Sequence, residues 1–115
     1  WPVTSVEPGD VYVFENPSML AEASARSWAG PPLVCSSGWP NVAVLTLLRR
    51  LAASGSRLHL HADGDGAGRG IVSLLAQRVG GEPWQMPAPA RKAEAAYEEQ
   101  ARAALLDLIV GQLSV

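Results

Sequence analysis

The sequence has a single cysteine, no long apolar run and no recognisable signal peptide. Its 115 residues contain only Cys35, which excludes a disulfide framework and a zinc site built from several cysteines. One thiol in a chain of this length is typical of a reducing, cytoplasmic setting. No stretch is long enough to cross a membrane, so we expect no membrane partner.

Basic residues are not in excess either. Nine Lys and Arg face eleven Asp and Glu, which gives a formal net charge of −2 at pH 7. Proteins that bind a phosphate backbone by charge alone carry a basic patch. We therefore expect any binding to nucleic acid to depend on a metal ion or on a basic domain elsewhere.

What the chain does contain is enough apolar sequence for one folded domain. Hydrophobic residues make up 48% of it, and 115 residues fit a single domain with a substantial core. The chain begins at Trp1 without a methionine. We expect it to be a C-terminal piece of a longer protein.

Predicted strands and helices alternate along the chain. Strands are predicted over 11–14, 33–36, 58–62 and 83–86, and helices over 17–28, 41–53, 67–79 and 90–111. Strand and helix alternation favours a parallel sheet. The predicted fold is α/β, a three-layer Rossmann-like parallel sheet of about four strands with helices on both faces.

Acidic residues follow two of these strands. Glu15 comes after the first strand, and Asp63 and Asp65 come after the third. Carboxyl ends of parallel strands share one edge of the sheet, where ligands bind. If strands one and three are neighbours, as in the flavodoxin-like order, all three carboxylates reach one site. Two carboxylates about 4 Å apart repel each other by about 4 kcal/mol at an effective dielectric near 20. A bound cation would compensate their negative charge, and Mg²⁺ and Mn²⁺ are the cations that prefer oxygen ligands.

The segment after the third strand also has simpler interpretations. One aspartate is readily explained as a turn residue or a helix N-cap, whereas two together with Glu15 are not. The glycines of 64–70 fall at every second position, so no register gives the G-x-G-x-x-G of a dinucleotide site. A calcium loop fails because Leu74 stands where a bidentate glutamate is required.

Neighbouring polar residues are weaker candidates. Ser37 and Gly38 are expected to open the second helix, where they either cap it or hold a phosphate. His61 alternates with the leucines of its strand and shares a face with Asp63. A structural, hydrogen-bonded role for His61 is favoured over contact with the site or with a phosphate; His59 is expected to be structural.

The two tryptophans of the central segments are expected to be packing residues. They are Trp39, after the second strand, and Trp84, near the fourth.

The pattern of Glu15 followed by Asp63-Gly64-Asp65-Gly66-Ala67-Gly68 resembles the Toprim domain of topoisomerases, primases and several nucleases. The chain is more closely similar to the C-terminal Toprim-like domain of unknown function in bacterial proteins related to the nuclease subunit of the Wadjet anti-plasmid system and to the topoisomerase VI A subunit. The matching segments are Val13-Phe14-Glu15-Asn16-Pro17, Cys35-Ser36-Ser37-Gly38-Trp39-Pro40, His61-Ala62-Asp63-Gly64-Asp65-Gly66-Ala67-Gly68, Pro83-Trp84-Gln85-Met86 and Tyr97-Glu98-Glu99.

This resemblance implies Mg²⁺- or Mn²⁺-dependent cleavage of a DNA phosphodiester by a larger protein, with upstream domains or partner subunits and a role in plasmid defence. It implies that Glu15 is an acid/base or metal ligand and that Asp63 and Asp65 are metal ligands. It makes Glu99 a weak candidate for a further acid. No tyrosine of the chain resembles a topoisomerase nucleophile, so a water-dependent nuclease is the expected form.

Two other functions stay open. One is a module that binds metal or nucleic acid without turnover. The other, less favoured, is a phosphatase of the haloacid dehalogenase type, whose first motif also reads Asp-x-Asp-Gly. That family carries the motif on its first strand, whereas here it follows the third.

Overall fold

A computed structural model describes residues 9–63, 65–86 and 97–113, although not the side chains of 97–101 and 111–113. It contains four parallel strands in the order β2-β1-β3-β4. The strands are β1 (Asp10–Phe14), β2 (Leu33–Cys35), β3 (Arg57–Leu60) and β4 (Glu82–Pro83), and the helices are α1 (Ser18–Ala25), α2 (Val42–Ala53), α3 (Gly66–Val79) and α4 (Tyr97–Leu113). The predicted α/β fold with a parallel sheet of four strands is thereby confirmed.

Strand β1 lies in the interior of the sheet between β2 and β3. Val13 pairs with Val34 on one side and with Leu60 on the other. Adjacency of β1 and β3 is the flavodoxin-like order, and it brings the ends of these two strands together.

Alternate residues of β1 enter two separate apolar cores, because successive side chains of a strand point to opposite faces. Val11 and Val13 join the core beneath α2 and α3, and Tyr12 and Phe14 join the core beneath α1 and α4. The molecule therefore has three layers. The first core consists of Val11, Val13, Leu48, Leu51, Leu58, Leu60, Ala62, Ile71, Val72, Leu75 and Val79, and the second of Tyr12, Phe14, Met19, Ala23, Trp84, Leu105, Leu106 and Ile109.

Side-chain oxygens accept backbone amides at the starts of three helices, and at two of them the oxygen belongs to the N-cap residue. Asn16 Oδ1 accepts the amide of Ser18 at 2.9 Å ahead of α1, whose N-cap residue, Pro17, makes no side-chain cap. Asn41 Oδ1 accepts the amide of Val44 at 2.9 Å and caps α2. Asp65 caps α3. These caps satisfy amides that have no partner within the helix.

Helix α1 ends three residues before its predicted end. Ser27 adopts a left-handed backbone with φ of 51°. The amides of Ser27 and Trp28 donate to the carbonyls of Ser24 and Ala23. This Schellman arrangement usually places a glycine where Ser27 stands, so no residue type in the sequence marks this helix end.

The remaining boundaries differ more at the C-terminal end. Strand β4 is shorter than predicted. Helix α4 is described from Tyr97, and the predicted helical segment 90–96 lies outside the described residues. No helix in the described part of the chain is long and apolar enough to cross a membrane.

Candidate metal centre at the carboxyl edge of the sheet

Glu15 and Asp63 meet where β1 and β3 end. The Glu15 carboxylate accepts the backbone amide of Asp63, with 3.2 Å between Oε1 and N. Both residues are half-buried. They line one cavity of about 240 Å³ together with Asn16, Pro17, Ser37 and Gly38. Two acidic residues that follow different strands therefore line the same cavity.

Asp65 begins α3. Its Oδ1 accepts the amide of Gly68 at 2.6 Å, and its backbone is extended, as at a helix N-cap. Asp65 is therefore the aspartate of this segment that acts as a helix N-cap.

The expected convergence of all three acids is only partly present. Among residues 9–63, 65–86 and 97–113, no three histidine, cysteine, aspartate or glutamate side chains lie close enough to hold one metal ion. Glu15 and Asp63 share the cavity, while Asp65 holds the end of α3.

The expectation that Ser37 and Gly38 open the second helix is wrong, because Asn41 caps α2 and the helix starts at Val42. Ser37 and Gly38 instead form a turn with φ of 54° and 92°. Both residues line the cavity together with the acids. A non-glycine residue in the left-handed region, such as Ser37, is uncommon and concentrates at functional sites.

Cys35 links this turn to Glu15. Its Sγ donates to the backbone carbonyl of Glu15 at 3.3 Å and lies 3.7 Å from the Ser37 hydroxyl. The thiol therefore ties the end of β2 to the end of β1.

His61 belongs to an aromatic cluster in the second core. It is 2% exposed, and its ring centroid lies 5.5 Å from that of Phe14 and 6.2 Å from that of Trp84. Its amide donates to the Val13 carbonyl at 2.9 Å, which continues the β1–β3 pairing. These contacts support the favoured structural role of His61. Trp84, 7% exposed, is the packing residue that was predicted.

His59, the third residue of β3, contacts Asp10, the residue that begins β1. Its Nε2 is 2.9 Å from Asp10 Oδ1, and its ring stacks on Tyr12 with 4.5 Å between centroids. Arg57 Nε contacts the same carboxylate oxygen at 3.1 Å. Burial raises the pKa of the Tyr12 hydroxyl above its ordinary value, Asp10 raises it further, and Arg57 lowers it. This cluster is structural and separate from the cavity.

Trp39 is not the packing residue that was predicted. It is 57% exposed, and the benzenoid edge of its ring lies beside Gly70 of α3. Its position directly after the Ser37-Gly38 turn was visible in the sequence, but apolarity alone suggested burial. The side chain of Glu99 lies outside the described residues, so that prediction stays open.

The fold and the acids define a three-layer α/β domain with a carboxylate-lined cavity at the switch point of its sheet. The chain belongs to the family described as "Protein of unknown function C-terminus (DUF2399)", whose model matches residues 1–111. No curated protein and no solved structure matches the chain.

Proposed function

We propose that this domain supports Mg²⁺- or Mn²⁺-dependent cleavage of a DNA phosphodiester, as the metal-binding part of a larger nuclease or topoisomerase-related protein. The observation that carries the proposal is the pairing of Glu15 with Asp63 across β1 and β3 at one cavity. The similarity of the acid pattern to the Toprim domain supports the same chemistry.

The donor set fits a hard divalent cation. Mg²⁺ is commonly held by one or two protein carboxylates while waters and substrate phosphates complete its coordination. Glu15 and Asp63 provide two carboxylates beside the polar wall formed by Ser37 and Gly38. A bound ion would supply charge neutralisation and polarisation of the scissile phosphate.

The chain's own residues would divide the remaining work. Asp63 would bind the ion, and Glu15 would either bind it or take a proton from the attacking water. Asp65 would add a third negative charge from its capping position at the start of α3. Ser37 and Gly38 line the same cavity, where the hydroxyl and the backbone would contact a phosphate oxygen.

Calorimetric titration of Mn²⁺ and Mg²⁺ into the 115-residue chain tests the proposal. Glu15→Gln and Asp63→Asn keep the shape of each side chain and the hydrogen bond between Glu15 and the Asp63 amide, but they remove one negative charge each. We expect each to weaken Mn²⁺ binding at least about tenfold, since both residues are direct ligands. Glu82→Gln is the matched control, because it removes the charge of an exposed glutamate on β4.

Cleavage is then measured on plasmid and on single-stranded DNA with Mn²⁺, using the 115-residue chain and the larger protein that the proposal assigns it to. Metal-dependent cleavage that both site variants abolish supports the nuclease. Metal binding without cleavage would favour the non-catalytic module. Unchanged Mn²⁺ affinity in both site variants would overturn the proposed centre.

A further inference from the structure

Trp39 presents a large aromatic surface to solvent beside the cavity. Within the described residues it is the most exposed aromatic side chain, at 57%, whereas Trp84 is 7% exposed. Exposing an indole forgoes a large burial gain, because aromatic residues contribute strongly to cores and interfaces. Neither core includes Trp39.

The position of the ring is fixed from both sides. Ser37 and Gly38 set the direction of the chain by their left-handed backbone, and Pro40 restricts the backbone of Trp39 to extended conformations. At its far edge the ring approaches Gly70 so closely that a Cβ on Gly70 would lie 2.8 Å from Cη2. The edge of the ring therefore packs against α3 at Gly70, the residue that has no side chain.

The ring is also close to the proposed metal centre. Gly38, the residue before Trp39, lines the cavity with Glu15 and Asp63. On the other side, Gly68 lies against the backbone of Asp63 while Gly70 lies against Trp39. Residues two positions apart lie on nearly opposite sides of a helix, so the contact at Gly70 fixes the ring on α3 but does not measure its distance from Asp63. The link between Trp39 and the cavity is its chain neighbour Gly38.

We propose that Trp39 stacks an unpaired nucleobase next to the phosphate that a divalent cation on Glu15 and Asp63 would hold. The inference rests on the proposed function and specifies its substrate class as a strand with at least one unpaired base. An aromatic side chain stacks any base because every base has a π-face, whereas a base inside a duplex is already covered by its neighbours.

The charge of the chain makes a stacking contact necessary for this occupant. With a net charge of −2, the chain cannot hold a strand by phosphate attraction alone. Stacking supplies binding that does not depend on a basic surface.

Fluorescence titration with a single-stranded oligothymidylate and with an abasic strand of equal length, both in Mg²⁺ and both phosphorothioate-linked to resist cleavage, tests the proposal. We expect the wild-type chain to prefer the base-containing strand by about 5- to 150-fold, the range that one stacked base gives. Trp39→Ala should bind both strands equally, and Trp39→Phe should keep part of the preference. Val42→Ala, at a residue 79% exposed that begins α2, should behave as wild type.

The binding titrations use anisotropy of a labelled strand as well, so that the loss of one tryptophan does not remove the signal. A base preference that persists in Trp39→Ala would overturn the proposal, and so would the absence of any preference in the wild type. The latter is the outcome expected if a protein surface covers Trp39 instead. Failure of the metal centre is recognised separately, because Asp63→Asn would then bind Mn²⁺ as wild type does while the base preference is unaffected.

Discussion

The backbone of Asp63 occupies the space into which a side chain at position 68 would project. A Cβ built on Gly68 would collide with the carbonyl oxygen of Asp63 and lie 2.9 Å from its carbonyl carbon and 3.0 Å from its amide nitrogen. Gly68 is also the residue whose amide Asp65 caps. The first turn of α3 and the acid at the cavity therefore fit together only because residue 68 is a glycine.

Gly68→Ala should consequently damage both stability and metal binding. The obstacle is backbone, which cannot move aside as a flexible side chain can, so we expect a loss of about 1–3 kcal/mol in the free energy of unfolding. Displacement of Asp63 should weaken Mn²⁺ binding as well. Gly66→Ala is the matched control, because a Cβ there meets nothing within 4 Å and alanine should be neutral or stabilise the helix by up to about 1 kcal/mol. Denaturant unfolding and calorimetry compare the two variants, and equal behaviour would contradict the steric argument.

Two substitutions of Asp65 should separate its capping role from its charge. Asp65→Asn keeps an oxygen for the amide of Gly68 and should leave stability nearly unchanged, because Asn and Asp are similar N-caps. If the negative charge assists the ion from an outer position, Mn²⁺ affinity should fall about tenfold. Asp65→Ala should lose the same affinity and, in addition, about 0.5–2 kcal/mol of stability. Wild-type Mn²⁺ affinity in Asp65→Asn would show that the residue only caps α3.

Leu106 should be required for stability in a way that its neighbour Leu108 is not. Leu106 of α4 is fully buried in the core beneath α1, whereas Leu108 is 45% exposed. We expect Leu106→Ala to cost about 2–5 kcal/mol of unfolding free energy and Leu108→Ala no more than about 0.5 kcal/mol. Thermal and urea unfolding provide the measurement. Similar losses for both variants would mean that α4 covers the sheet by another face.

The raised pKa of Tyr12 predicts a loss of stability at alkaline pH. In the unfolded chain this hydroxyl ionises near its ordinary value of 10.0, while in the folded protein it keeps its proton to higher pH. The unfolded state then binds fewer protons, so the free energy of unfolding falls as the pH rises from about 10 to the folded pKa. Below pH 10 this contribution is fully present. Tyr12→Phe should give a shallower decline above pH 10 in urea unfolding at several pH values, and an unchanged decline would exclude Tyr12 as the cause.

The sequence predicted the central strand β1 because it carries a continuous apolar run that only a covered strand can bury. Residues 11–14 were recognised in this way, and the structure adds only Asp10 to that strand. The acids at the ends of the first and third strands followed from topology. Their closeness depends on the strand order, which the sequence left conditional and the structure supplies.

Features set by backbone conformation and by contacts distant in sequence could not be predicted in the same way. The left-handed Ser27 and Ser37 stand where glycine is usual, so α1 was extended too far and the turn at Ser37 was taken for the opening of α2. The exposure of Trp39 depends on Gly70, which lies on another helix. Composition cannot reveal whether a tryptophan side chain is buried in a core or lies exposed against a glycine of another helix.

The core beneath α1 and α4 determines when the chain can fold during its synthesis on the ribosome. Tyr12 and Phe14 belong to the first strand described, while much of what covers them comes from α4, the last helix described. At about 5–20 residues per second, the ribosome needs several seconds to make the intervening chain. Throughout that interval the strand leading to Glu15 has one face incompletely covered, so the acid pair is fixed in place only once α4 has emerged. A nascent chain that has already been made through Asp63 would therefore still lack an ordered site.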